Sequence, residues 1–313
     1  MRPPTGQQLT IASTVSGVPL RATVTGLAAG LRELVLGDTD LVEPFHEDAR
    51  PGKGQGIVLA PWGGRVRDGR WLLDGVPQQL ALTEPSRGNA SHGLLRYAPY
   101  RVLEHGEARA VLAATIHPQP GYPFLVDTTV RYEVGETGLV VTHEAVNVGA
   151  TRAPWACGAH PYLAVGRTPA SALTLTVPAS TALVTDERLL PVRSVAVDAP
   201  DAPAGADLRR GRRLAELDLD LGLVDVEHVD GIAASTLLDD EGRGVRLWQD
   251  AAFGALVVFT PRDFPAVDGV RQAVAVEPMS APADALNSGD GLAWLEPGES
   301  WTGRWGIAPV GLV

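Results

Sequence analysis

Short runs of alternating apolar and polar residues, cut at close intervals by glycine or proline, limit this chain more than any other feature. Gln8-Leu-Thr-Ile-Ala and Pro19-Leu-Arg-Ala-Thr-Val-Thr repeat with a period of two, the signature of a strand with one buried face. Asp68-Gly69 and Gly135-Glu-Thr-Gly138 stand where hairpin turns are needed. Val126-Asp-Thr-Thr-Val-Arg-Tyr-Glu-Val carries β-branched residues on both faces, which fits a sheet packed within a sandwich. The chain holds 35 Gly and 25 Pro without low-complexity repeats, so turns must be many and elements short. Roughly twenty strands at intervals of about 8–12 residues are expected, with almost no helix. Leu208–Leu217 is the one segment that could form a short helix, and Gly211 weakens it. Residues 186–213, rich in Pro, Asp and Arg, read as a long surface excursion. Neither a composition shift nor a fixed repeat divides the chain. The expected fold is all-β, a large antiparallel β-sandwich forming one domain over residues 1–313.

Charge and cysteine narrow the partners and the compartment. The formal net charge is −11, which argues against a nucleic acid or an anionic membrane. Cys157 is the single cysteine, so an intrachain disulfide and a cysteine-based zinc cluster are both ruled out. The start, Met-Arg-Pro-Pro-Thr-Gly-Gln-Gln, lacks the apolar core of a signal peptide. No run approaches the roughly 18 apolar residues of a membrane span. A cytoplasmic protein is expected.

Glu277 stands out chemically. Val274-Ala-Val reads as the end of a buried strand, Glu277 follows, and Pro278 stops the ladder. A carboxylate held there on rigid backbone, partly desolvated, has its pKa moved from about 4.3 toward neutrality, as a general base requires. Arg65 after Gly63-Gly64, His92 before Gly93, and His160 before Pro161 share that context, and Asp230 before Gly231 is a fifth. Taken singly, each is more commonly a packing residue than a catalytic one. Together, a His and a Glu offer an acid and a base near neutral pH, while Arg, His and Asp suit hydroxyl groups. Trp62, Trp155 and Tyr162 lie alongside in sequence; sugar C–H faces lie on aromatic planes, so the inventory fits a carbohydrate pocket. The nucleophile elbow, the phosphate-binding loop, the dinucleotide turn and the zinc-hydrolase helix motif are missing from the sequence.

Six pieces occur in the order of one known family. They are Leu59-Ala-Pro-Trp-Gly-Gly-Arg65-Val with Asp68-Gly69, Asn89-Ala-Ser-His92-Gly, Gly121-Tyr-Pro-Phe124, Gly158-Ala-His160-Pro-Tyr162, Val229-Asp230-Gly, and Val276-Glu277-Pro with Pro282-Ala-Asp284-Ala. Over nearly its full length the chain resembles the aldose 1-epimerases, or galactose mutarotases. The resemblance implies a β-sandwich of the galactose mutarotase-like (supersandwich) type and an isomerase that uses no cofactor or metal. It implies that Glu277 is the catalytic base, that His160 is the catalytic acid, and that Arg65, His92 and Asp230 bind substrate. The implied partner is a small sugar, glucose- or galactose-like, acted on by a monomer or homodimer. The sequence departs from the better-known members at Gly64, where Asn is usual, at Met279, where Gln is common, and in the Pro-Tyr-Leu that follows His160. Two other readings use the same fold: a hexose-6-phosphate 1-epimerase, with Arg65 and Arg96 toward the phosphate, and a non-catalytic sugar-binding protein.

Overall fold

Period-two patterning resolves into strands throughout. A computed structural model describes residues 3–313, and among these the one α-helix is Ala285–Ser288. No helix is long and apolar enough to cross a membrane. Two large antiparallel sheets dominate. The first runs, edge to edge, through Arg101–His105, Arg109–Ile116, Val126–Gly135, Gly138–Asn147, Ser300–Val310, Gly244–Asp250, Ile232–Leu238, Thr174–Thr176 and Arg212–Arg213. The second runs through Pro191–Ala196, Ala179–Thr185, Asp220–Val226, Ala255–Phe259, Val274–Met279, Gly158–Ala159 and Val58–Leu59, with Tyr162–Leu163 also on Val274–Met279. A four-stranded sheet from the N-terminal region, Gln8–Val15 to Thr39–Asp40, packs against the Val126–Gly135 strand of the first.

Alternation explains which faces meet. In Val126–Gly135, residues Val126, Thr128, Val130, Tyr132 and Val134 are buried, while their neighbours are half-buried or exposed. The main apolar cluster draws on residues from Leu9 to Ile307; each large aliphatic or aromatic side chain buried there contributes roughly 1.5–3 kcal/mol. Tyr132 buries its ring and donates its hydroxyl to Ala29 O at 2.6 Å, which ties the N-terminal sheet to the core. Val274–Met279 differs from every alternating strand, because all six residues are buried. It lies inside the second sheet, with neighbours on both edges and packing on both faces.

Two expectations fail in the arginine-rich region. Leu208–Leu217 is not a helix: Gly211 takes a φ of 78°, Arg212–Arg213 pairs as a strand, and only Leu214–Glu216 closes a 3-10 turn. Residues 186–213 are not merely a surface excursion either. Pro191–Ala196 pairs with Ala179–Thr185 and forms the edge of the second sheet. Before it, Asp186 and Arg188 pin the turn to Arg67, Asp68 and Asn89.

Candidate active site

The second sheet supplies the floor of a cavity of about 310 Å³. Directly opposed residues on neighbouring strands share a face, and the register lines up Glu277, Val257, Gly222 and Leu183 across four strands. All four line the cavity, as do Met279 with Ala255 one row above and Phe259 with Asp220 one row below. Loops and one short strand add the polar wall, in Lys53, Arg65, Thr83, Glu84, His92 and Arg96.

His160 reaches Glu277 through a break in a ladder. Gly158 pairs with Met279 and Tyr162 with Ala275, so the register on either side sets His160 opposite Glu277. Pro161 has no N–H to continue the pairing, and the backbone of His160 turns away to Ile57 O and Gly56 N, at 3.1 and 2.9 Å. Its ring stacks on Tyr162 at 5.2 Å and meets His92 edge-on at 5.7 Å. Nε2 stands 3.4 Å from Glu277 Oε1. Gly54 lies against the ring, where a Cβ would come within 2.8 Å of His160 Cδ2. Cys157, buried, clasps the same segment by donating its N–H to Ser280 Oγ at 2.8 Å, and its carbonyl accepts from Ser280 N.

Both members of the pair are almost fully buried, at 4% exposure for His160 and 2% for Glu277. Burial pushes His160 down to about 3, with Arg65 adding to the fall and a backbone hydrogen bond opposing it. Burial also pushes Glu277 well above the ordinary carboxylate value; the Asp220 charge adds to the rise and Arg65 opposes it. Each group is therefore pushed toward its neutral form, the arrangement in which the pair holds one proton, on Glu277 rather than His160. Glu277 Oε2, His160 Nδ1 and His92 Nδ1 are buried without a protein partner, which costs stability and marks groups that a polar ligand can satisfy.

Arg65 opens a short strand, Arg65–Arg67, paired with Asn89–Ser91, so that Arg65 faces Ser91 and His92 follows. Its Nε donates to Glu84 Oε2 at 2.9 Å and its Nη2 to Glu84 Oε1 at 3.3 Å, while Asp220 Oδ2 lies 3.5 Å away. Burial opposes the guanidinium charge, but Asp220 and Glu84 outweigh it and raise the pKa further. Burial likewise works against the Glu84 charge, and Arg65 overcomes it and holds that carboxyl below its usual value. His92, at a φ of 60°, is driven well down by burial and by His160, Arg65 and Arg96. Gly64 has a φ of 62°, and a Cβ there would come within 2.8 Å of Ala283 Cβ. The side chain of an Asn at that position would meet the turn after Ser280.

Four of the five residues singled out from the sequence thus converge: Arg65, His92, His160 and Glu277 all line the cavity. Asp230 does not. It sits exposed in a tight turn bridged by Val229 and Ile232, on the connection that carries the chain from Asp220–Val226 in the second sheet to Ile232–Leu238 in the first, and Asp230 and Gly231 both take positive φ there. Asp220, ten residues earlier, holds the acidic position beside Arg65. Glu84 was also missed, although it precedes Pro85 just as Glu277 precedes Pro278. The aromatic residues require a correction too. Trp62, Trp155 and Tyr162 are buried in the core, Trp62 against Tyr122 and Trp155 against Trp301. The aromatic side chains that line the cavity are Tyr97 and Phe259. No group of three or more His, Cys, Asp or Glu side chains among the described residues is arranged to hold a metal ion.

Comparison with known proteins gives the family and the fold. The family profile described as aldose 1-epimerase matches residues 17–308. An uncharacterized protein of Escherichia coli K12, YihR, is 30% identical over 287 residues, covering 89% of this chain and 86% of that protein. A GalM/aldose epimerase homologue from C. elegans superposes with a TM-score of 0.82 at 19% identity, covering 97% of this chain and 99% of the other. A galactose 1-epimerase from Lactobacillus acidophilus gives 0.73 at 20% identity, with 97% and 99% covered. The fold is that of the galactose mutarotase-like proteins, and the chain belongs to the aldose 1-epimerase family.

Proposed function

We propose that this protein interconverts the α- and β-anomers of a free aldose, glucose- or galactose-like, by acid–base opening and closing of the hemiacetal ring. The observation that carries the reading is a lone acid–base pair, His160 Nε2 and Glu277 Oε1 at 3.4 Å, on the floor of a cavity walled by hydroxyl-binding groups. Opening a hemiacetal needs a proton taken from the C1 hydroxyl and one given to the ring oxygen. Glu277 takes the first and His160 gives the second. The C1–C2 bond then rotates, and the same two groups reverse their roles as the ring closes on the other face. The starting arrangement, with the proton on His160, holds as many protons as the neutral arrangement that burial favours. Substrate hydroxyls that bond to Glu277 Oε2 and to Arg65 stabilise the charge-separated form. Each well-placed group is worth about 10²–10⁴ in rate. Arg65, His92 and Asp220 bind the sugar hydroxyls in this reading, and Glu84 positions Arg65.

The pH profile follows from the shared proton. Below the depressed His160 value the pair gains a second proton and loses its base; above the raised Glu277 value it loses its last proton and its acid. The acid limb of kcat/KM is expected below the ordinary histidine value of 6.5, and the alkaline limb well above the ordinary carboxylate value of 4.5.

One observation favours a second reading, hexose 6-phosphate as substrate. Arg96 lines the cavity and, among the described residues, no carboxylate lies within ion-pair distance of it; it stacks on Tyr97 at 5.2 Å, as Arg50 does at 5.5 Å. Optical rotation of fresh α-D-glucose, α-D-galactose and α-D-glucose 6-phosphate separates the two. Faster decay for the free sugars supports the first reading, and faster decay only for the phosphate supports the second. Tight sugar binding with no acceleration of any substrate means a binding protein and overturns both.

A further inference from the structure

The acid of the pair is aimed without a hydrogen bond to hold it. His160 Nδ1 makes no bond to another residue, and the 3.4 Å from Nε2 to Glu277 Oε1 is longer than an ordinary N–H···O bond. Packing must therefore fix the ring. Tyr162 stacks on it and His92 meets it edge-on. The turn over residues 52–56 lies along the edge that carries Nε2: a Cβ on Gly54 would stand 2.8 Å from Cδ2 and 3.0 Å from Nε2. That turn is poorly suited to hold itself. Lys53 and Gly54 take φ of 50° and 72°, a left-handed pair that strains the lysine backbone. The Lys53 side chain pairs at 2.9 Å with Asp263, whose carboxylate is 76% exposed, and such pairs contribute little. Gln55 is the one buried side chain of the turn, at 1% exposure. Its Nε2 donates to Glu43 O at 2.7 Å and to Pro44 O at 3.0 Å. A neighbouring segment thus clasps the turn from behind, while Tyr162 donates its hydroxyl to Lys53 O at 2.9 Å and Gly56 N closes on His160 O at 2.9 Å.

We infer that Gln55 is a positioning residue: by holding the turn on the Glu43 and Pro44 carbonyls, it keeps Gly54 against the Nε2 edge of His160 and so fixes where that ring points. The inference rests on the epimerase reading and adds to it a residue that does not line the cavity. Without the two amide bonds the turn lifts, the ring swings away from Glu277 and water reaches it. Turnover then falls, while sugar binding, carried by groups on other elements, changes little. His160, held down to about 3 by burial, rises toward the ordinary 6.5. The other titratable or charged groups facing the ring are Glu277, Arg65, His92 and Tyr162, and none of them belongs to the turn; Lys53, which does, turns its Nζ to Asp263.

The test uses the parent, Gln55→Met, Gly54→Ala and a matched control, Gln272→Met. Gln272 Nε2 also donates to two backbone carbonyls, Leu214 O at 2.9 Å and Leu217 O at 3.0 Å, away from the cavity. Polarimetry of glucose and galactose gives kcat, KM and the pH profile. Carbon-13 NMR of labelled histidines gives the titration of His160, assigned by its loss in His160→Ala. Gln55→Met is expected to lower kcat tenfold or more with KM within threefold, and to raise the acid limb and the His160 titration together. Gln272→Met loses comparable stability, with kcat, KM and the acid limb at parent values. Gly54→Ala keeps the Gln55 bonds and presses a methyl group on the ring; it too lowers kcat tenfold or more, and it decides the matter should Gln55→Met not fold. Parent-like kcat and His160 titration in Gln55→Met, parent-like kcat in Gly54→Ala, or an equal loss of kcat in Gln272→Met overturns the positioning role and leaves the epimerase reading standing. Failure of the parent to accelerate either sugar overturns both.

Discussion

Two buried histidines sit in the two large sheets, and by most local measures they are alike. His143 is 1% exposed and His160 4%. Burial pushes both down to about 3, and each stacks on an aromatic ring, His143 on Trp305 and His160 on Tyr162. Their partners separate them. His143 Nε2 accepts the Trp305 indole N–H at 2.9 Å, inside the core of the nine-stranded sheet. His160 Nε2 faces a buried carboxylate across a broken ladder, at the edge of a cavity. A depressed histidine pKa therefore reports burial alone. A site needs burial together with a second titratable group of opposite tendency and room for a ligand. Two further pairs make the same point. Glu277 and Glu43 are both buried, but Glu43 has Arg271 at 3.0 Å. Asp220 and Asp230 lie ten residues apart, and only Asp220 reaches Arg65.

These contrasts break in measurable ways. The largest expected effect is on rate: Glu277→Gln and His160→Ala lower kcat/KM for anomerisation by about 10²–10⁴, with the folded state retained. His143→Ala should do the reverse. It leaves a cavity and strands the Trp305 N–H, so thermal or denaturant unfolding should show a loss of about 4 kcal/mol, while kcat/KM of the folded protein stays within twofold.

Glu43 tests the second pair through pH. Its value is raised to about 7, by burial first and against the pull of Arg271. A carboxyl with a raised folded pKa binds more protons folded than unfolded. Its contribution is fully present below the unfolded value and is lost as pH rises through 7. That loss is on the order of 3 kcal/mol by pH 8. Glu43→Gln should flatten the fall in stability between pH 5 and pH 8, seen in denaturant midpoints at each pH, without changing the pH profile of activity. Asp220→Asn should lower kcat/KM about tenfold, near 1.4 kcal/mol, while Asp230→Asn changes it less than twofold. Equal effects at 220 and 230 would remove the third contrast.

These pairs also show how far the chain could be read unaided. His160 was legible because Pro161 beside it breaks a strand; Glu277 was legible from the same kind of signal, although Pro278 does not stop the ladder as expected, since Val274–Met279 runs on through it and pairs Pro278 with Leu256 and Met279 with Ala255. Asp230 misled for a related reason. Asp-Gly in a tight turn carries the same local signature as a residue locked at a strand end, yet here it only reverses the chain between the two sheets. Asp220 carries no punctuation at all. It lies in Leu217-Asp-Leu-Asp-Leu221, where period two separates Asp from Leu but does not say whether the polar face meets water or a cavity. Only the register, Asp220 opposite Phe259, decides that. The tryptophans were similarly ambiguous, since an aromatic side chain near a motif can stack on a sugar or fill the core behind it. The all-β class was plain from the strand period. The sheet orders were not, because pairings such as Gly138–Asn147 with Ser300–Val310 join residues far apart in the chain.

The most direct test of the central claim is exchange NMR of the anomeric protons of glucose and galactose at equilibrium, near neutral pH, with the parent, His160→Ala and His143→Ala proteins at equal folded concentration. The account predicts enzyme-dependent α–β exchange in the parent, near-parent exchange with His143→Ala, and a loss of at least a hundredfold with His160→Ala. Parent-like exchange with His160→Ala, or equal losses at the two histidines, would contradict it.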